Sequence, residues 1–394
     1  MLHSFKVKNF QSFLDEVHIS MEMNQHVPVD YRSFNTVTGK RLSKTMAIIG
    51  PNASGKTAVI KSMTFLDWFI KHSFQNSVDE LIPLVTHFSA KDKPSHFKFE
   101  FEMNQQEWRY SLSADEHRVF SESLYSKQSR AFSYVFTRDW DEGNQKYIIK
   151  QKQFGLLQRE AEKVRENASL ISTAAQYKVP LALQIVSSCI LSNVNIFGRQ
   201  HFDDMQIIGA SALYAGNEVI RNQMNQLLCS WDLGLSGVKV EEQFHIQESG
   251  KEQRIFVPFG LHKVGDVYHS LMFKHESSGT QGAYLLLSRI LPVLKNGGLA
   301  IIDELEADLH PHMLNPILDL FFSPKTNPKN AQIIFTCHSI EVLSLLHKSQ
   351  VTLVEKNKDC MSEAWRLDSI KGLRADDNLY AKYMAGAYGA IPQV

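Results

Sequence analysis

Short runs in which apolar and polar residues alternate dominate the first third of the chain. Phe5 and Val7 open this pattern and predict a half-buried strand, and a second strand is predicted at residues 45–49. Across residues 97–149 the alternation returns in several runs separated by polar turns. This pattern is typical of antiparallel strands with one buried face, so we expect an antiparallel β patch here.

Helical spacing replaces the alternation across residues 154–235. Apolar residues recur three or four positions apart, as at Leu157, Ala161, Val164 and Ala168, and few turn signals interrupt them. This spacing places apolar side chains on one face of a helix. We therefore expect a helical lobe inserted into the chain.

Strands and helices alternate in the remainder of the chain. A strand-rich stretch at residues 238–259 precedes a helix at 283–294, an apolar run at 299–302 and a second apolar run at 333–336. Such alternation is typical of a parallel sheet, so we predict an α/β fold with a mixed or parallel sheet. The expected division is residues 1–150 and 238–394 for the two halves of the α/β body and 151–237 for the inserted helical lobe.

The composition fits a soluble globular protein. Hydrophobic residues make up 43% of the chain, and 42 basic residues balance 42 acidic ones, so no global field favours nucleic acid or an anionic membrane. The four cysteines contain no CxxC pair, which favours reduced thiols in the cytoplasm over disulfides or a zinc site. The N-terminus lacks an apolar signal core, and polar residues interrupt the apolar stretch at residues 181–191. We therefore expect neither export nor a membrane span.

A glycine-rich loop between the strand at 46–49 and a predicted helix at 56–70 matches the pattern GxxxxGK[ST]. Phosphate groups need many N–H donors in a small space, which a tight glycine loop and a helix N-terminus provide. Lys56 would neutralise the β and γ phosphates, and the Thr57 hydroxyl would ligate Mg²⁺. The candidate ATP-binding residues of this loop are Gly50, Pro51, Asn52, Ala53, Ser54, Gly55, Lys56 and Thr57.

Two acidic residues follow the apolar run at 299–302. A buried parallel strand would deliver Asp303 and Glu304 to the phosphate side of the sheet. Asp303 suits the Mg²⁺ shell, and Glu304 suits the orientation of the water that attacks the γ phosphate. Taken alone, the pair could equally be two solvated acids at a strand end. The phosphate loop upstream favours the catalytic interpretation.

Two further motifs stand near these acids. Ser278, Gly279 and Gln281 belong to a Ser-Gly turn that opens an apolar helix and could bind an anion, although such a turn is also an ordinary helix cap. His338 follows the run at 333–336 and could reach a γ phosphate from the end of that strand. His310 and His312 lack a third ligand nearby, so we assign them no metal.

Together these motifs resemble those of the ABC-type ATPases related to the structural-maintenance-of-chromosomes and overcoming-lysogenisation-defect proteins. The resemblance is strongest to the abortive-infection ATP-binding proteins of bacterial anti-phage operons. It runs nearly end to end, through FKVKNFQSF, GPNASGKT, ESSGTQ, LAIIDELEADLHP, QIIFTCHS, VEKNKD and YMAGAYGAIPQV. Residues 81–89 contain no glutamine, so the glutamine of the family's Q-loop is not assigned.

The resemblance implies an ABC-type ATPase head with a Walker A motif in the first segment and the signature, Walker B motif, D-loop and H-loop in the last. It implies that two subunits sandwich ATP, so that Ser278 and Gly279 of one subunit act on the nucleotide held by Lys56 of the other. The D-loop carries Asp308. Some relatives carry a metal-dependent nuclease domain, but Asp376 and Asp377 lack a preceding strand and a matching glutamate. We therefore expect no nuclease in this sequence.

Three functional classes fit these features. The first is an ATPase of an anti-phage defence system, whose ATP-dependent homodimer holds, senses for or releases a separately encoded effector such as a nuclease or toxin. The second is a DNA repair or recombination ATPase that binds nucleic acid across its dimer, for which Arg159, Lys163, Arg165 and Lys178 are local basic residues. The third is a nucleotide-binding subunit of a transporter, which the long insertion before Ser278 disfavours.

Overall fold

The computed structural model describes residues 1–24, 27–200, 203–246, 252–307, 309–374 and 377–392. Asp308 and Asp376, which the sequence analysis singled out, lie outside the described residues. In chain order the strands are β1 (Leu2–Lys8), β2 (Val17–Ser20), β3 (Ser33–Asn35), β4 (Arg41–Ser43), β5 (Thr45–Ile49), β6 (Ser95–Met103), β7 (Gln106–Ala114), β8 (Val119–Lys127), β9 (Ser133–Asp141), β10 (Lys146–Gln151), β11 (Ile190–Ser192), β12 (Gly237–Ile246), β13 (Glu252–Val264), β14 (Val267–Met272), β15 (Leu299–Ile302), β16 (Gln332–Cys337), β17 (Val351–Lys356) and β18 (Ser362–Arg366).

The α-helices follow the same order. They are α1 (Lys56–His72), α2 (Gln158–Ala161), α3 (Leu170–Gln176), α4 (Pro180–Val186), α5 (Asp204–Gly216), α6 (Glu218–Ser230), α7 (Ser278–Asn296), α8 (Leu314–Phe322) and α9 (Leu379–Met384). None of the helices in the described ranges combines the length and the apolar character needed to cross a bilayer.

Polar caps define where several helices begin. The Ser169 hydroxyl accepts hydrogen bonds from the first turn of α3, and Asp203 and Asn217 cap α5 and α6 in the same way. Pro180 stands at the first position of α4, where its missing N–H removes no helical hydrogen bond. Each of these side chains satisfies or avoids a backbone donor that the helix itself leaves free.

Two sheets form most of the body. The seven-stranded sheet has the order β10-β9-β8-β7-β6-β1-β2, and its strand pairs are antiparallel. The six-stranded sheet has the order β11-β15-β16-β5-β17-β18, and only its edge pair β17–β18 is antiparallel. The predicted α/β fold, with a parallel sheet and an antiparallel patch, is confirmed.

The parallel sheet lies between two hydrophobic cores. Along β5, Met46 and Ile48 pack into the core beneath the antiparallel sheet, whereas Ala47 and Ile49 pack into the core beneath α7 and α8. Side chains of a strand point alternately to opposite faces, so a strand buried on both faces must be continuously apolar. This explains why the sequence shows an uninterrupted apolar run at residues 46–49 of β5.

Residues 151–237 contain the predicted helices, but the segment does not stand apart from the sheets. Helices α3 and α4 belong to the first core, and α5 and α6 belong to the second. Between them, β11 pairs in parallel with β15 and becomes the edge of the six-stranded sheet. The division of the chain into an α/β body and a lobe at residues 151–237 therefore remains a prediction. A further three-stranded antiparallel sheet, β12-β13-β14, leads to α7.

Candidate functional site

Three adjacent parallel strands deliver the candidate residues to one edge of the sheet. Strand β16 lies between β15 and β5 and is parallel to both. Asp303 follows β15, His338 follows β16, and Gly50 follows β5. Because the strands run in the same direction, these three residues leave the sheet at the same edge, which is where α/β sheets bind ligands.

The loop that joins β5 to α1 has the backbone shape of a phosphate cradle. Ala53 and Gly55 have φ angles of 59° and 115°, and Gly55 caps α1 in the left-handed region. A Cβ at Gly55 would lie 2.6 Å from the Ser362 hydroxyl, and one at Gly50 would collide with the carbonyl of Val354. Glycine is therefore required at both ends of the loop.

The hydroxyl of Ser54 supports a polar ligand in this loop. Its oxygen is buried and has no hydrogen-bond partner among the described residues. Buried polar groups are nearly always paired with protein or water, so an orphaned one needs an explanation. A phosphate oxygen held in the loop would provide the missing partner.

Lys56 closes the loop on itself. Its Nζ donates to the carbonyl oxygens of Gly50 and Pro51, both at 2.9 Å, and the side chain is buried. Burial lowers the pKa of Lys56, while the nearby carboxylates of Asp303 and Glu306 oppose that shift. The ammonium group is thus held at the mouth of the loop, where a phosphate could replace the two carbonyl oxygens as its partner.

Asp303 is fixed by groups from three elements. Thr336 donates to its Oδ1 at 2.6 Å, and Thr57 donates to its Oδ2 at 3.0 Å. Asn193 holds the backbone from the other side, since its side chain accepts from the Asp303 N–H and donates to the Asp303 carbonyl, both at 2.8 Å. The carboxylate therefore has a defined orientation toward Thr57 before any ligand arrives.

Glu304 adopts a left-handed backbone conformation that few residues other than glycine favour. Its φ is 51°, and its N–H donates to the Thr336 hydroxyl at 2.7 Å. The carboxylate forms an ion pair with Arg199 through Oε2, and its Oε1 lies 3.5 Å from Nε2 of His338. A non-glycine residue in this region costs free energy and is common at functional sites.

His338 is positioned through its backbone and its ring. Glu306 accepts hydrogen bonds from the N–H groups of His338 and Ser339, the second at 3.3 Å. Burial and the charge of Lys56 lower the pKa of His338, against the opposing effects of Glu306 and Asp303. The imidazole is therefore neutral at neutral pH and can donate or accept one hydrogen bond beside Glu304.

The Ser-Gly turn opens α7 and is held by hydrogen bonds within the turn. The Ser277 hydroxyl accepts from the Thr280 N–H at 3.1 Å and caps the helix. Ser278 is exposed, and within the described part of the chain its hydroxyl makes no hydrogen bond. Gln281 donates to the carbonyl of Glu276 at 2.9 Å, so in the single chain it braces the turn. Ser278 is thus free to meet a group from outside the chain.

The protein oxygens at the site suit Mg²⁺ when it is bound together with phosphate. Thr57 and Asp303 place a hydroxyl and a carboxylate side by side. Across the described ranges, no group of three His, Cys, Asp or Glu side chains could hold a metal without a ligand's help. Mg²⁺ commonly takes one or two protein ligands and completes its shell with phosphate oxygens and water.

A cavity of about 740 Å³ adjoins the phosphate loop and His338. Its walls include Gly50–Asn52 and Ile340 on one side and, from the C-terminal segment, Tyr383 and Ile391 on the other. This volume is within the range of small-molecule sites. The C-terminal residues that resemble the family's closing motif thus lie near the phosphate loop.

Sequence reasoning missed Asn193, Arg199 and Glu306 as members of the site. Asn193 and Arg199 follow the three-residue strand β11, which lies inside a segment with helical spacing. The sequence signal for this strand was the short apolar pair Ile190 and Leu191, which polar residues follow. Glu306 stands in the motif after Glu304, but its contact with His338 depends on how two loops meet.

Comparisons with known proteins show the family of the chain. A family model described as "AAA domain, putative AbiEii toxin, Type IV TA system" matches residues 46–199 and 239–344, which together exceed half of the chain. The structure is also similar to the "Smc head domain with a coiled coil and joint derived from Pyrococcus yayanosii", at 10% identity and a TM-score of 0.47, covering 98% of this chain and 99% of that one. No curated protein sequence matches the chain.

Proposed function

The chain belongs to this family of AAA domains, and from that membership we propose that it binds ATP with Mg²⁺ and hydrolyses it. One observation carries the proposal: Lys56, Thr57, Asp303 and Glu304 meet at the carboxyl edge of three adjacent parallel strands. A positive charge, a metal-binding pair and a carboxylate base are the groups that phosphoryl transfer to water requires.

Each residue has a role that its contacts support. Lys56 exchanges the carbonyl oxygens of Gly50 and Pro51 for phosphate oxygens and neutralises their charge. Thr57 and Asp303 would hold Mg²⁺, which would supply positive charge to offset the negative charge that develops on the phosphate oxygens. Glu304 orients and polarises the attacking water, and His338 hydrogen-bonds beside it.

The test separates binding from hydrolysis. Lys56→Ala should abolish binding of a fluorescent ATP analogue, because the loop loses the ammonium group that its carbonyl oxygens hold. Glu304→Gln should bind the analogue as wild type does and release phosphate at least about 100-fold more slowly. Phosphate release by Glu304→Gln at the wild-type rate would contradict the role given to Glu304.

We further propose that two copies of the chain sandwich ATP. Ser278 is exposed and opens a 19-residue helix, so its hydroxyl and the helix N-terminus can serve a nucleotide held by another copy. Mixing two inactive variants tests this: Lys56→Ala keeps its Ser-Gly turn, and Ser278→Arg keeps its phosphate loop. The mixture should regain activity, since a mixed dimer contains one intact composite site. A mixture as inactive as its components would contradict the sandwich.

We propose that the ATP-dependent dimer serves an anti-phage system by holding or releasing a separately encoded effector. The family description names a putative toxin and a Type IV TA system, which supports a role in a system with further components. ATP would shift the balance of open and closed dimers, and the partner would bind one state more tightly. The test expresses the chain with its neighbouring genes and compares what co-elutes in ATP and in ADP. A nucleotide-dependent protein partner supports the proposal, and salt-sensitive binding of DNA alone would favour a repair function.

A further inference from the structure

Residues 193–200 form a compact hairpin beside the catalytic carboxylate. Val194 and Arg199 pair across it as an antiparallel bridge, and Asn195 and Gly198 exchange backbone hydrogen bonds of 2.9 and 3.2 Å. The Asn195 side chain also accepts from the N–H groups of Phe197 and Gly198. These bonds fix the turn, so the position of Arg199 is set by local structure.

The hairpin is tied to elements on both sides of the site. Its base is closed by a 2.9 Å hydrogen bond from the Gln200 N–H to the Asn193 carbonyl, and Asn193 in turn clamps the backbone of Asp303. Arg289 of α7 donates to the Gln200 side chain at 3.1 Å. The hairpin therefore connects the helix that begins at the Ser-Gly turn with the strand that carries the acidic pair.

Arg199 and His338 lie beside different oxygens of the Glu304 carboxylate. Arg199 pairs with Oε2, which leaves Oε1 facing Nε2 of His338 at 3.5 Å. We propose that Arg199 is the positioning residue for the catalytic base: it holds one oxygen of Glu304 so that the other faces the attacking water. This inference rests on the proposed ATP hydrolysis.

Stability alone does not explain this ion pair. The side chains of Arg199 and Glu304 are 26% and 36% exposed, so the ion pair is in partial contact with solvent, which screens its contribution to folding. The Glu304 side chain has three rotatable bonds, and among the described residues Arg199 is the lysine or arginine that pairs with it, while the neutral His338 lies beside its other oxygen. The planar guanidinium can fix both the direction and the plane of a carboxylate, which an ammonium group cannot do.

The experiment measures kcat and KM for ATP hydrolysis in Arg199→Ala, Arg199→Lys and Lys61→Ala. Lys61 is the matched control, because its Nζ approaches the Phe197 carbonyl of the same hairpin at 3.4 Å without touching Glu304. We expect Arg199→Ala to lower kcat about 10- to 100-fold with KM changed less than about 3-fold, as misplacement of a catalytic group does. Arg199→Lys should recover part of the loss, and Lys61→Ala should match wild type.

Several results of this experiment would contradict the role proposed for Arg199. An unchanged or increased kcat in Arg199→Ala, or a change in KM alone, would overturn the inference, as would an equal loss in Lys61→Ala. Thermal denaturation of each variant checks that the fold is retained, and a loss of kcat that follows a loss of stability would also overturn it. A wild-type protein that binds no ATP and releases no phosphate would instead refute the proposed function, and this inference with it.

Discussion

Replacing Thr336 with valine should destabilise the protein far more than the same change at Thr352, which lies on β17, two strands away in the same sheet. The buried Thr336 hydroxyl donates to the Asp303 carboxylate at 2.6 Å and accepts from the Glu304 N–H at 2.7 Å. Valine has nearly the same shape but can make neither hydrogen bond. Thr352 provides a matched control, because its buried hydroxyl contacts only the sulfur of Met46, at 3.4 Å, among its described partners.

The expected loss of unfolding free energy follows from the two hydrogen bonds of the Thr336 hydroxyl. A hydrogen bond to a charged group contributes about 1.5–3 kcal/mol, and a neutral one about 0.5–1.5 kcal/mol, so Thr336→Val should lose about 2–4 kcal/mol. Thr352→Val should change the free energy of unfolding by less than about 1 kcal/mol, because a thioether is a weak acceptor. Urea denaturation of both variants and wild type measures the difference. Equal effects of the two substitutions would refute the network around Asp303.

Three further predictions follow from other contacts. Asn193→Leu removes both hydrogen bonds to the Asp303 backbone and should slow ATP hydrolysis about 10-fold or more, measured as phosphate release at saturating ATP. Burial raises the pKa of Cys337 well above its usual range, so a thiol reagent at neutral pH should label the exposed Cys360 and leave Cys337 unmodified until the protein is denatured. Burial and the nearby Lys40 lower the pKa of His3 from 6.5, so the folded state resists protonation; the free energy of unfolding should fall as pH drops below about 6.5, and His3→Gln should weaken that dependence.

The sequence identifies the phosphate loop and the acidic pair because both follow fully buried strands. The apolar runs at residues 46–49 and 299–302 lie within β5 and β15, and a strand buried on both faces is expected to be continuously apolar. His338 could be associated with them because parallel strands end at a common edge. The roles given to these residues stay proposals, although the structure brings them together.

The hairpin at residues 193–200 could not be predicted from the sequence, and the reason is physical. Its strand β11 has three residues, which is too short to show a period, and it is surrounded by helical spacing. The pairing of β11 with β15 joins segments more than one hundred residues apart, and no local pattern records that register. The roles proposed for Arg199 and Asn193 therefore depend on tertiary contacts that the local sequence does not show.

The most direct test of the account is the molar mass of Glu304→Gln protein in solution, measured by light scattering with Mg·ATP, with Mg·ADP and without nucleotide. We expect the mass to double in Mg·ATP alone, because the variant binds ATP between two copies and cannot hydrolyse it. Ser278→Arg in the same background is the control and should prevent the doubling. An unchanged mass for Glu304→Gln under conditions in which ATP is demonstrably bound would contradict the account.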